Sequence, residues 1–371
     1  MLRRFKVSNF KSFKNELCLD LSETNGYEFN RNCIKNDIAN CALIYGHNGC
    51  GKSNLGLAIF DIIEHLTDKN RDEKKYVHYL NAYNTNNRHA SFYYEFLINN
   101  NTVQYEYKKS DYKTLVFEKL SINDEVLILF DREKGNQFTA NLKGVETLNR
   151  IIDDNQLSPL KYIKNNSVLE KNDINETFSL FYSFVERMLI FRNLEDRWYL
   201  GLDVGSRELA DEIINRDKVA DFERFLNEAN VDCKLSVVDG VSKKTLVFDF
   251  DGKYIPFFEA LSTGTSALTL FYFWYLQLSE SNVSFLFIDE FDAFYHHKLS
   301  ALIVEKLKES GIQFILTTHN TSIISNDILR PDCYFLMNKE KIKSLSRCTP
   351  KELREAHNIE KMYKAGTFDV E

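Results

Sequence analysis

The sequence predicts an α/β protein: a head built around a strand, a glycine-rich loop and a helix, interrupted by an antiparallel β-subdomain and a helical insertion. Three observations carry this. The apolar run "CALI" leads into "YGHNGCGKSN" and then into a helical apolar pattern. Four alternating segments between residues 91 and 142 are separated by turn signals. Two further apolar runs, "VSFLFID" and "QFILTT", follow near the end of the chain with helical stretches around them.

Taken in order, "LRRFKVSNF" and "LCLDLS" alternate as the strands of a hairpin-like start. "CALIYG" reads as a short buried strand, and from Lys52 to Leu66 the residues Leu55, Ile59, Ile62, Ile63 and Leu66 fall on one helical face. Residues 69–90 are polar and unpatterned, as in a loop. "SFYYEFLI", "TVQYEYKK", "TLVFEKL" and "EVLILF" are strands, with "NNN", "SDYK" and "SIND" as their turns. Over 145–229 "SPLKYIKNNSVLEK", "DINETFSLFYSFVERMLIF" and "SRELADEIINRDKVADFERFLNEA" are expected to be helical, with starts at Ser158-Pro159 and Asp173 and with Phe178, Phe181, Phe184 and Leu189 as packing residues. Strands return from Cys233 to Phe250, and after Leu261 the order is helix, strand, helix, strand. A last helix is expected at "TPKE", with Thr349 as N-cap, Pro350 at N1 and Glu352 closing a capping box. The expected division is 1–66 and 233–371 for the two parts of the head, 67–144 for a loop and the β-subdomain, and 145–232 for the helical insertion.

The 371 residues and 44% hydrophobic content suit one large domain or a domain with a sizeable insertion. A net charge of −7 gives no global field for nucleic acid, so DNA contact requires a local basic patch, for which "RRFK" and "NFKSFK" are the available material. No run of 18 apolar residues exists, so no transmembrane helix is expected. The opening "MLRRFKVSNFKSF" lacks the apolar stretch of a signal peptide. The seven cysteines are scattered without a CxxC pair, which points to free thiols in a reducing cytoplasm. Cys50, inside the glycine run, reads as a small side chain.

Gly46, Gly51, Lys52 and Ser53 satisfy G-x-x-x-x-G-K-[ST] between a strand and a helix. Glycines let backbone N–H groups curl around phosphate oxygens, and the helix N-terminus adds partial positive charge. Lys52 is placed to reach the β- and γ-phosphates and the Ser53 hydroxyl to ligate magnesium. "VSFLFIDEF" ends a buried strand in two acids: Asp289 suits the metal and Glu290 suits the polarisation of an attacking water. "QFILTTHN" closes another buried strand on His319, which suits a hydrogen bond to the γ-phosphate or that water.

Before the Asp-Glu strand stands "EALSTGTSALTLFYFWYLQL". "LSTG", Leu261 to Gly264, resembles the signature loop of ABC-type ATPases such as SMC and RecF, and phosphate loop, insertion, signature, Asp-Glu strand and switch histidine come in that family's order. The resemblance covers about 1–66 and 245–345. It implies ATP with Mg²⁺ as ligands, with Asn48, Gly49 and Asn54 joining the loop residues in nucleotide contact. It implies a head-to-head dimer in which Ser262 and Gly264 cap the γ-phosphate held by another copy. "MLRRFKVSNFKSF", "LSTGT", "IDEFDAFYHHKL" and "HNIEKMYKAGTFDVE" resemble the AAA-type ATPases of prokaryotic anti-phage modules (RloA-like and PARIS AriA-like proteins), which implies a separate effector, a TOPRIM-type nuclease, and a phage protein as trigger. Residues 320–371 are too short for a TOPRIM domain, so the nuclease is expected on another chain. Two departures stand out: Asp292 or His296 takes the place of the family's cross-subunit aspartate, and the glutamine loop has no clear counterpart, Gln104 lying in an expected strand. A RecF- or SMC-like role on DNA is the alternative, and a scaffold that binds ATP without hydrolysis is a third reading.

Overall fold

A computed structural model describes residues 1–69, 73–192, 199–201, 209–239, 244–279 and 283–368. Two seven-stranded sheets organise it. In the first, the spatial order is Tyr199–Gly201, Met188–Arg192, Phe285–Asp289, Gln313–Thr318, Cys41–Tyr45, Tyr334–Met337, Ile342–Ser344. The five inner strands are parallel and the two edges antiparallel. The strands Cys41–Tyr45, Phe285–Asp289 and Gln313–Thr318 are buried at every residue, as expected of parallel strands covered on both faces.

The second sheet is antiparallel, in the order Thr139–Ala140, Glu125–Asp131, Leu115–Ile122, Asn101–Lys109, Ala90–Ile98, Leu2–Ser8, Leu17–Asp20. The expected hairpin-like start and the expected strands of 91–142 are therefore one sheet, joined where Leu2–Ser8 pairs with Ala90–Ile98. A small three-stranded sheet, Leu235–Asp239, Lys244–Phe250 and Lys253–Pro256, precedes the helix Thr263–Ser279.

The helix Lys52–Leu66 lies between the two large sheets. Gly56 meets the Phe287 and Ile190 side chains of the parallel sheet, while the Tyr94 hydroxyl of the antiparallel sheet donates to the Ala58 carbonyl at 3.0 Å. The helix is accordingly buried on more than the single apolar face its pattern predicts: Asp61, Glu64 and His65 are buried with the rest. Asp61 accepts from the Tyr107 hydroxyl (2.8 Å), the Tyr79 hydroxyl (3.0 Å) and the Lys109 ammonium (2.7 Å). His65 faces Glu118 at 3.3 Å, and Glu118 also accepts from the Ser158 and Tyr105 hydroxyls. Buried polar groups persist only when partnered in this way.

Ser158 caps the helix Pro159–Asn166 by accepting from Lys161 N–H at 3.1 Å, with Pro159 in the first turn as the sequence indicates. Two other local readings are corrected. "MLIF" does not continue the helix before it: Asp173–Glu186 ends at Arg187, and Met188–Arg192 is a strand paired in parallel with Phe285–Asp289. A short run buried on both faces fits a central strand as well as a helix, and only the neighbouring strand selects between them. "TPKE" is not a helix start either. Thr349 Oγ1 accepts only from Lys351 N–H, two residues on, and the Asn326 amide donates to the carbonyls of Arg354, Glu355 and His357, holding the segment as a loop. The last helix is Ile359–Lys364, capped by Asn358. No described helix is long and apolar enough to cross a membrane.

Candidate nucleotide site

Parallel pairing sets the site. Thr318 is opposite Tyr45, and Arg192 is opposite Asp289, so the loops that follow these strands open at one edge of the sheet. Ligands of open α/β sheets bind at the carboxyl ends of strands for this reason. A cavity of about 550 Å³ lies there, lined by Asn48, Gly49, Gly51, Lys52, Ser53, Asn54, Glu290, Asp292, Ala293, His319 and Asn320. That volume falls within the range of small-molecule sites.

The loop is shaped by two glycines. A Cβ on Gly46 would stand 2.5 Å from Cys50 Sγ and 2.6 Å from the Met337 carbonyl oxygen. Gly51 has φ +107°, and a Cβ there would stand 2.7 Å from Ser12 Oγ. Both approaches exclude a side chain. Cys50 thus supports the loop from beneath, buried, as a small side chain. Ser12, from the turn after the first strand, also accepts from the Asn54 amide at 2.9 Å, so the antiparallel sheet touches the loop directly. The phosphate motif does not indicate this contact, because Ser12 lies far from it in sequence.

Lys52 is 5% exposed, and its ammonium donates to the Gly46 carbonyl at 2.8 Å and lies 3.3 Å from His319 Nδ1. Burial lowers its pKa from the usual lysine value. His319 is pushed below the usual histidine value by burial first and by the Lys52 charge second, which favours the neutral imidazole. Its Nε2 stands 4.0 Å from Glu290 Oε1.

Glu290 is held in the left-handed region, φ 50°, with its N–H donating to Thr317 Oγ1 at 2.8 Å. The same hydroxyl donates to Asp289 Oδ1 at 2.7 Å. One threonine of the histidine strand therefore orients both acids. Backbone strain of this kind concentrates at functional positions. Asp292 accepts twice from the Thr318 hydroxyl, at 2.7 and 2.8 Å, and burial raises its pKa. Asp292 lines the cavity and is buried, whereas His296 is exposed and outside the lining.

The expected residues are not all brought to the cavity. Gly46 and Asp289 lie behind its lining, and Ser262 and Gly264 are outside it. Ser262 caps the helix Thr263–Ser279, accepting from Thr265 N–H at 3.1 Å, and is exposed. Gly264 packs toward the Phe294 carbonyl oxygen, 3.8 Å from a Cβ built on it. Gln104 pairs within the antiparallel sheet, opposite Glu95 and Ser121.

Magnesium fits the donor set. A serine hydroxyl, an oriented carboxylate and nucleotide oxygens are hard ligands, and magnesium is usually held by one or two carboxylates plus phosphates. No cluster of three or more His, Cys, Asp or Glu that could hold a metal occurs among the described residues.

A search of curated proteins finds no match. Among solved structures, the chain is similar to an SMC head bound to the C-winged helix domain of ScpA, with 15% identity, 93% of this chain and 97% of that chain covered, and a TM-score of 0.47. It is similar to the SMC head domain from Thermotoga maritima at 16% identity, with 92% and 98% covered and a TM-score of 0.45. A third is the Smc head with an extended coiled coil bound to the C-terminal domain of ScpA derived from Pyrococcus furiosus, at 12% identity, with 93% and 96% covered and a TM-score of 0.46. The family match is of a different kind: it runs over residues 41–325, from the start of the phosphate-loop strand to beyond His319, well over half of the chain. On that match the chain belongs to the nucleotide-binding P-loop family described as "AAA domain, putative AbiEii toxin, Type IV TA system".

Proposed function

We propose that this protein is an ATP-hydrolysing switch that closes as a head-to-head dimer and controls a separate effector. The observation that carries the reading is the meeting of Lys52, Ser53, Glu290 and His319 around one cavity, with Asp289 oriented behind it. Lys52 neutralises the terminal phosphates, and the loop N–H groups together with the start of the helix Lys52–Leu66 hold their oxygens. Glu290, fixed by Thr317, accepts a proton from the attacking water, and neutral His319 beside Lys52 keeps that water or the γ-phosphate oriented. Magnesium supplies charge neutralisation of the phosphates, with Ser53 and Asp289 as its protein partners.

Ser262 and Gly264 stand at a helix N-terminus outside the lining of their own chain's cavity, which supports a role on the nucleotide of a second copy. The family description supports a toxin or antitoxin setting. Within it we place the protein among cytoplasmic RloA-like and AriA-like ATPases of anti-phage defence, with a TOPRIM-type nuclease as effector and a phage protein as trigger. The alternative of direct action on DNA needs a free basic patch. Arg4 pairs with Asp20 and Glu95, Arg3 with Glu95, and Lys6 with Glu16, so the "RRFK" half of that basic material is matched by acids.

Steady-state ATP hydrolysis of the wild type beside Glu290→Gln, with mass by light scattering in the presence and absence of ATP, tests the reading. Loss of the general base lowers turnover by about 10²–10⁴ and traps the closed dimer. Hydrolysis by Glu290→Gln at the wild-type rate, or no change of mass with ATP in either protein, contradicts it.

A further inference from the structure

Arg192 is not part of any motif, yet its guanidinium reaches both carboxylates of the site. It is the last residue of the strand Met188–Arg192, and parallel pairing sets it opposite Asp289. Its Nε stands 3.4 Å from Asp289 Oδ2 and its Nη2 stands 3.4 Å from Glu290 Oε2. One guanidinium therefore spans the two carboxylates.

We propose that Arg192 is a positioning residue for ATP hydrolysis: a resting-state cation that holds Asp289 and Glu290 and must let go of Asp289 for a divalent cation to use it. The inference rests on the ATPase reading above. Three features separate this contact from a structural ion pair. Tight charge-assisted contacts lie at about 2.7–2.9 Å, and both Arg192 contacts are longer. Nε is buried without a hydrogen bond. The side chain is still 32% exposed, so part of it borders solvent. Arg330 gives the contrast within the same molecule: its Nε and Nη2 meet the two oxygens of Asp332 at 2.8 and 2.9 Å, with the side chains 4% and 0% exposed. Arg330 is locked in a two-pronged pair, whereas Arg192 is spread over two acids, of which Glu290 lines the cavity.

The consequence is competition for Asp289. With Arg192 in place, the carboxylate already has a cation, and a nucleotide-bound divalent ion has to exceed it. Without Arg192, Asp289 is free for the ion, but Glu290 loses the group that holds its outer oxygen. Metal demand and turnover should then both fall, a combination that a simple loss of folding does not produce.

The test is binding of a fluorescent ATP analogue titrated with magnesium, for the wild type, Arg192→Met and Arg192→Lys, with turnover and a thermal melt beside each. We expect Arg192→Met to need about two- to tenfold less magnesium for half-maximal analogue binding, the effect of removing one or two partly exposed ion pairs, while turnover drops. Arg192→Lys, a point charge that reaches one acid, should lie between. An unchanged or higher magnesium requirement in Arg192→Met overturns the proposal. If Arg192→Met does not fold, Arg192→Lys decides by the same criterion. If the wild type shows no magnesium-dependent analogue binding, the ATPase reading itself is overturned and this inference with it, an outcome distinct from a wild type that binds and variants that match it.

Discussion

At its amino end the helix Lys52–Leu66 meets polar groups in looser contact: Lys52 to His319 at 3.3 Å, Arg192 to Glu290 at 3.4 Å and His319 to Glu290 at 4.0 Å, with Arg192 and Glu290 at 32% and 24% exposure. Further along the same helix, Asp61 and Lys109 sit 2.7 Å apart at 1% and 2% exposure, and two tyrosine hydroxyls complete the carboxylate's shell. The first set has partners that a phosphate or a cation is able to replace. The second set is closed, and nothing can enter without leaving a buried charge unmatched. The contrast shows how one helix serves both as binding element and as clamp. Its closed end fixes it between two sheets, and its open end presents exchangeable charge.

The largest effect should come from the closed end. Asp61→Ala leaves the Lys109 ammonium buried without its carboxylate, and such breaks cost about 3–5 kcal/mol. Urea unfolding measures this, and a double Asp61→Leu, Lys109→Met protein should regain only part of it, because the Tyr79 hydroxyl loses its acceptor. A loss under about 1 kcal/mol in the single variant would show that the network is not closed and would dissolve the comparison.

At the open end, stability should respond most to the backbone of the loop. Gly51→Ala forces a Cβ onto Ser12 and Phe13 at φ +107°, a strain of about 1–3 kcal/mol. Because the clash lies in the loop, nucleotide affinity should fall together with stability. An alanine variant that binds nucleotide as the wild type does would mean the loop rearranges freely.

The smallest effect is the pH response of the closed end. His65 is pushed below the usual histidine value of 6.5, by burial first, with the Glu118 hydrogen bond opposing. The unfolded chain then takes up the proton more readily than the folded one. His65 therefore contributes stability that is present above about pH 6.5 and is lost as pH falls below it, with a slope of at most about 1.4 kcal/mol per pH unit. Urea unfolding at a series of pH values should show this slope, and His65→Gln should flatten it. A His65→Gln protein that keeps the full slope assigns the effect to other groups.

The legible parts of the sequence were those whose chemistry is local. The phosphate loop, Ser53, the Asp289-Glu290 strand end and the strand closing on His319 are short patterns whose residues act within one element or its end, and the structure brings Lys52, Ser53, Glu290 and His319 to one cavity. Alternation disclosed the strands of 91–142, and Ser158-Pro159 disclosed a helix start, because both rest on neighbouring residues. Cues of the same kind failed where a distant partner decided. "MLIF" became a strand because Phe285–Asp289 lies beside it, and "TPKE" stayed a loop because Asn326 holds the carbonyls that follow.

By itself, then, the sequence determined local features: the glycine run between a strand and a helix, the strand that ends in Asp289-Glu290, and the Ser158 cap. Only the tertiary structure decided that Arg192 faces Asp289 and Glu290, that Ser12 supports the loop at Gly51, and that Asp61 and His65 turn a helix into a clamp between sheets. The physical reason is pairing across long separations. Strand register and sheet stacking select partners by hydrogen bonding and burial summed over whole elements, and no window along the chain contains both halves of such a contact.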